Sequence, residues 1–208
     1  NWPGCIFYDR RRDATYICDS FNARIRRVDS NGIITTVAGT PDAVYPPQAG
    51  ALALQSNFGS ASSVVVDSGG NIFAADVNAV RVHRIDAATG RVSILATFGD
   101  IGIPFGLAID AQDNLYIASA TNHRIYRRTP GGELSTFAGN GSAGYSGDGG
   151  PATSAQVNGP GTLAIDAQGR LFIGDQGNRR IRVVENGVIR TYAGNGQEGS
   201  GGDGGAAL

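Results

Sequence analysis

Apolar residues along this chain fall into runs of four to six, separated by polar, turn-forming clusters. Leu107-Ala108-Ile109 closes at Asp110 and the turn Ala111-Gln112-Asp113-Asn114, and Leu115-Tyr116-Ile117-Ala118 follows. A short Asn-containing turn leads to Arg124-Ile125-Tyr126-Arg127, and Pro130-Gly131-Gly132 turns into Glu133-Leu134-Ser135-Thr136-Phe137. Short runs bounded by Gly, Asn and Asp predict antiparallel strands joined by tight turns. No segment sustains a 3.6-residue apolar period across ten residues, so the fold class is all-β.

This four-strand pattern occurs four times, from Gly4, Ser62, Phe105 and Gly161. In each copy an Asp closes the first apolar run: Asp9, Asp67, Asp110 and Asp166. An aromatic recurs in the second run at Tyr16, Phe73, Tyr116 and Phe172, and an Arg follows eight residues later at Arg24, Arg81, Arg124 and Arg180. Tandem four-stranded units at such a period predict the blades of a β-propeller, with the aromatics packed between neighbouring blades. The expected blades span about 1–39, 58–99, 103–139 and 160–194, with inserts at about 40–57, 140–159 and 195–208.

Composition narrows the function classes. The 208 residues include 32 Gly, about twice the usual share, which suits many turns. Seventeen basic residues, all Arg, meet 18 acidic ones for a net charge of −1, which argues against a non-specific nucleic-acid binder. No apolar run approaches the roughly 18 residues of a membrane span, so direct membrane insertion is not expected. Met is absent and the last copy of the insert stops at Leu208. The expectation is therefore an excerpt of a longer parent, with an open four-blade arc whose exposed ends are covered by remaining blades or by a protein partner.

The copies resemble NHL repeats in their Gly-apolar-apolar-apolar-Asp run, aromatic strand and Asp-x-x-Asn-x-Arg-Ile element. That element stands as Asp19-Ser20-Phe21-Asn22-Ala23-Arg24-Ile25 and Asp175-Gln176-Gly177-Asn178-Arg179-Arg180-Ile181. The third copy has Ser119 for the Asp, and the second has Ala79 for the Asn. The Gly-Asp-Gly-Gly-Pro-Ala-Thr insert resembles that of extracellular or envelope NHL-type proteins. The resemblance implies an NHL-type propeller with its first strands innermost and its long inserts gathered on one face.

Candidate chemistry is sparse. If Asp9 pairs with Ala14, Cys5 faces Cys18 across the first hairpin, within reach of a disulfide; two buried thiols are the alternative. A bridge would indicate an oxidising compartment and hence an extracellular or cell-surface location. His83 and His123 do not occupy equivalent positions and read as surface or satisfied strand residues, too few for a catalytic zinc. Asp148 and Asp203 read as turn formers, with calcium as the alternative and no other cofactor or metal implied. The recurrent Arg residues are expected to pair with the Asp of the neighbouring turn.

These readings favour a non-catalytic interaction or scaffold module of a larger extracellular protein, binding through the insert-bearing face or the blade ends. Tyr45, Tyr145 and Asp148 are its candidate contact residues, because loops on a rigid scaffold are where binding is usually placed, with inserts that merely buttress the adjacent blades as the alternative. The rival reading is a propeller enzyme of lyase or hydrolase type. Its site would lie at the channel mouth, use Asp19, Asp76 and Asp175, and be completed by further blades.

Overall fold

The computed structural model describes residues 4–199 together with 204, 205 and 207. Strands β1 (Cys5–Asp9), β2 (Ala14–Asp19), β3 (Arg24–Val28) and β4 (Ile34–Ala38) form blade 1. Blade 2 contains β5 (Ala61–Val66), β6 (Ile72–Asp76), β7 (Arg81–Ile85) and β8 (Val92–Thr97). Blade 3 contains β9 (Pro104–Ile109), β10 (Leu115–Ser119), β11 (Arg124–Arg128) and β12 (Leu134–Ala138). Blade 4 contains β13 (Pro160–Ile165), β14 (Leu171–Asp175), β15 (Arg180–Glu185) and β16 (Val188–Ala193). Each blade is a four-stranded sheet in sequential order.

The repeated Asp builds the first turn of every blade. Its carboxylate accepts a backbone N–H inside the turn: Arg11 on Asp9 at 3.0 Å, Asn71 on Asp67 at 2.8 Å, Asn114 on Asp110 at 2.8 Å and Arg170 on Asp166 at 2.9 Å. A carboxylate at the head of a turn stands in for a missing strand hydrogen bond, which explains why this residue recurs. A second shared device sits between the third and fourth strands. The register slips at Ile25/Arg26, Val82/His83, Ile125/Tyr126 and Ile181/Arg182. Such bulges re-aim a side chain.

The chain divides into two compact units, Asn1–Leu107 and Ala108–Leu208. In the first, blades 1 and 2 share a core that includes Tyr16, Cys18, Ile25, Phe58, Val64, Val66, Ile72 and Ala74. In the second, Tyr116, Ile125, Leu171, Ile173, Val184 and Ile189 do the same for blades 3 and 4. Of the repeated aromatics, Tyr16, Phe73 and Tyr116 are buried. Phe172 is half-buried, edge-on to Tyr192 at 4.9 Å. Cys5 and Cys18 are register partners 4.9 Å apart at Cα and are joined by a disulfide.

The short link between blades 2 and 3 holds a single helical turn, α1 (Phe98–Ile101), capped reciprocally by Thr97 and Asp100. Among the described residues no helix is long and apolar enough to cross a membrane.

Candidate functional site

The two described inserts run as straps along the outer edge of the blade that follows each of them. In the first unit Gly50 N–H donates to Val92 O, Val92 N–H to Ala51 O, and Ala53 N–H to Gly90 O. In the second unit Gly149 N–H donates to Ile189 O, Ile189 N–H to Gly150 O, and Ala152 N–H to Gly187 O. The correspondence is residue for residue. An outermost strand carries a row of unpaired backbone groups, and the strap satisfies them.

Beneath the first strap, Tyr45 Oη donates to Asp76 Oδ1 at 2.7 Å, and that oxygen also accepts the N–H groups of Asn78 and Ala79. The other oxygen, Oδ2, is buried with no hydrogen bond and lies 3.8 Å from His83 Nε2. The His83 ring has no solvent exposure, and neither of its nitrogens has a partner. Phe58 meets it edge-on at 6.0 Å. Burial pushes the imidazole down to about 4, against the pull of Asp76 and with help from Arg81. Burial, with the Asp76 hydrogen bond behind it, pushes the Tyr45 phenol up to about 12. His83 is thus neither a surface residue nor a satisfied one, contrary to the sequence expectation. The bulge at Val82/His83 turns it into the blade. His123 sits in a turn, where its Nδ1 accepts from Gly159 N–H at 3.1 Å.

The second strap rests on charge. Arg182 is fully buried, with one guanidinium nitrogen on Asp148 Oδ1 and the other 3.3 Å from Asp175 Oδ2. Thr191 donates to Asp148 Oδ2 through its N–H at 3.1 Å and its hydroxyl at 2.7 Å. Tyr145 Oη lies 3.0 Å from the same oxygen, and its ring lies under the guanidinium carbons of Arg180 at 4.0 Å and Arg182 at 4.9 Å. Burial alone would raise the Asp148 carboxyl, but the Thr191 hydrogen bonds and the Arg182 charge hold it below the usual carboxylate value. Donors fill both oxygens and a cation neutralises them, so Asp148 does not suit the calcium reading. Asp203 lies outside the described residues. Among those described, no three or more His, Cys, Asp or Glu side chains gather as metal ligands.

The expected pairing of the recurrent Arg with Asp is corrected by two residues. Arg26 and Arg182, not Arg24 and Arg180, face Asp19 and Asp175, at 3.9 and 3.3 Å. Arg124 and Arg180 instead donate to insert carbonyls, Asn140 O at 2.8 Å and Asn195 O at 2.7 Å. The bulged position therefore sets the chemistry of each blade. Asp19 goes with Arg26, Asp76 with His83 and Asp175 with Arg182. In blade 3, Ser119 goes with Tyr126, and Asn122 bonds to both. This covariation within one chain was visible in the sequence.

The structure places Tyr45, Tyr145 and Asp148 in these networks, with the two tyrosines each keeping about two-fifths of their surface in solvent. Elsewhere on blade 4 an open depression of about 300 Å³ is lined by Thr162, Gly174, Gln176, Arg180, Ile181 and Gly194.

The Teneurin NHL domain family matches residues 104–185. Human Teneurin-4 is 28% identical over 195 residues, which takes in 77% of this chain and 7% of that protein. The chain thus spans a small fraction of the curated relative it matches. A streptogramin B lyase structure superposes with a TM-score of 0.62 at 14% identity, over 91% of this chain and 54% of that one. An auxiliary nutrient binding protein from Bacteroides thetaiotaomicron gives 0.66 at 18% identity, over 98% of this chain and 48% of that one. At such identities these likenesses speak for the fold alone. Four sequential four-stranded blades, the repeated Asp turn and these matches together make the chain an NHL-type β-propeller.

Proposed function

We propose that this chain is a non-catalytic protein-interaction module of a larger extracellular protein, with its insert-bearing surface as the contact. One observation carries the reading. The first strap is pinned by backbone hydrogen bonds yet holds Val44 at 80% and Leu54 at 57% exposure, beside the partly exposed Tyr45. Apolar side chains presented on a fixed loop are what a partner desolvates. A second free surface on blade 1, with Ile6 at 74% and Tyr8 at 52% exposure, suits further blades of the parent or a protein partner. The Cys5–Cys18 bridge fits an oxidising, extracellular or cell-surface setting.

Two of the three acidic groups of the rival enzyme reading support the same conclusion, while Asp19 is only half-buried and stands beside Asn22 and Arg26. Asp76 and Asp175 are buried and serve backbone N–H groups and the strap residues, not an open cleft. Tyr45 and Asp148 are poor test sites because changing them also loosens a strap. The test is Val44→Ser with Leu54→Ser, measured as capture of a partner from the extracellular fraction by the immobilised chain. Capture should fall at least about tenfold with the melting temperature unchanged, as expected for anchors at an interface. Undiminished capture overturns the reading.

A further inference from the structure

Asn140 opens the second insert, and its backbone is fixed on both sides. Its N–H donates to Ala155 O and its carbonyl accepts from Arg124, both at 2.8 Å. The residue is exposed, and its Oδ1 accepts Ser142 N–H at 2.9 Å across Gly141, whose φ of +96° suits glycine. Its Nδ2 uses one of two hydrogens on Ser154 O at 3.3 Å and keeps the other.

The other inserts open at the same place with different residues. The first sends Gly39 N–H to Ala53 O and Thr40 N–H to Ser56 O, where the second sends Gly139 N–H to Ala152 O and Asn140 N–H to Ala155 O. Thr40 has no side-chain amide, and Pro41 follows it. Asn195 repeats the turn closely: its carbonyl accepts from Arg180 at 2.7 Å, its Oδ1 accepts Gln197 N–H at 2.9 Å, and Gly196 has a φ of +88°. The turn therefore accounts for the Asn and the Gly but not for the third residue, Ser142 in one copy and Gln197 in the other. Ser142 is exposed, and its hydroxyl makes no hydrogen bond among the described residues. Of all the asparagines in the chain, only Asn140 has a hydroxyl residue two places further on.

We propose that Asn140 is a glycan acceptor, its side-chain amide taking an N-linked oligosaccharide during export, with Ser142 as the hydroxyl that the transferase reads. In that step Nδ2 bonds to the anomeric carbon of a polyprenyl-diphosphate-linked sugar. The bond from that carbon to the diphosphate oxygen breaks, its electron pair leaves with the lipid diphosphate, and the amide gives up one N–H proton to a base of the transferase. The second N–H still serves Ser154 O, and the bonds to Ser142, Ala155 and Arg124 are untouched, so the sugar leaves the strap in place. A glycan is bulky and solvated. It sets the start of the second insert towards water, whereas the exposed Val44 and Leu54 belong to the first. Donor and transferase are met on export, so the assignment rests on the extracellular reading above.

The test secretes the whole chain from a eukaryotic cell line and reads occupancy by peptide mass spectrometry. Asn140 should carry a glycan and Asn195 none, and an amide-cleaving glycosidase should leave Asp at position 140. Ser142→Ala should abolish the glycan without lowering the melting temperature, because the hydroxyl holds nothing in the fold; Ser142→Thr should keep it. Ile189 should exchange its amide at the same rate in the glycosylated chain and in Ser142→Ala. An unmodified Asn140 in the secreted chain, a glycan that survives Ser142→Ala, or faster exchange at Ile189 in the glycosylated chain overturns the proposal. Because the experiment itself imposes secretion, an unmodified Asn140 leaves the contact-surface reading standing, and undiminished capture by the Val44 and Leu54 variant leaves the acceptor standing.

Discussion

The two straps follow the same backbone path and are anchored by opposite means. In the second unit a permanent cation, Arg182, lies between two carboxylates, and Tyr145 covers it. In the first unit the same repeat position holds His83, neutral and desolvated, beside a carboxylate oxygen with no donor. There the anchoring falls to the Tyr45–Asp76 hydrogen bond and the apolar packing around Phe58. The strap is therefore specified by its backbone pairing with the blade edge. The side chains beneath it are free to change, provided they change together.

The largest effect is expected where charge is buried. Replacing Arg182 by Leu leaves Asp148 and Asp175 facing each other without a cation. Breaking a buried pair this way typically costs about 3–5 kcal/mol. Urea denaturation of Arg182→Leu should show a loss of that order, and the double variant with Asp148→Asn should recover part of it. If Arg182→Leu were as stable as the parent chain, the strap would be held by its backbone bonds alone.

Acid separates the two units next. The His83 folded value of about 4 lies below the unfolded 6.5, so between these values the unfolded chain binds the proton first. The stability tied to neutral His83 is complete above about pH 6.5 and is lost as pH falls towards 4, about 3 kcal/mol in all. The Asp148 carboxyl is held below its ordinary 3.8, so its contribution persists above that value and is lost only below it. Acid titration should therefore weaken the first unit before the second, and His83→Gln should flatten the slope between pH 6.5 and 4. A parent chain with unchanged stability across that window would show that His83 is hydrated or paired in solution.

Much of the fold could be read in the sequence because it is local. The Asp of each first turn, the aromatic of each second strand and the facing of Cys5 and Cys18 follow from a period of two and a short turn. The straps could not be read that way. Gly50 meets Val92 through backbone atoms across 42 residues, and backbone pairing leaves no signature in residue type. The arginine assignment failed for a subtler reason. Arg24 lies opposite Asp19 in the ladder, so simple register favours it. The bulge one residue further on aims Arg26 at the carboxylate instead, and a bulge inserts no residue type that marks it. What the sequence did contain was the matched change of Asp and Arg to Ser119 and Tyr126 in blade 3.

The smallest effects distinguish the tyrosines. Tyr45→Phe removes a hydroxyl donor from the buried Asp76 carboxylate, which keeps two backbone donors, a change of about 1 kcal/mol. Tyr145→Phe removes a more exposed hydroxyl and leaves Asp148 with Arg182 and Thr191, while the Phe ring still stacks on both guanidinium groups. Its cost should be about half as large or less. Global unfolding will barely resolve these differences, but strap opening is a local event and amide exchange reads it directly. Tyr45→Phe should speed exchange at Val92, whereas Tyr145→Phe should leave Ile189 close to its original rate. Equal acceleration at both amides would mean that the hydroxyls, not the charge beneath one of them, hold the straps to the blade edges.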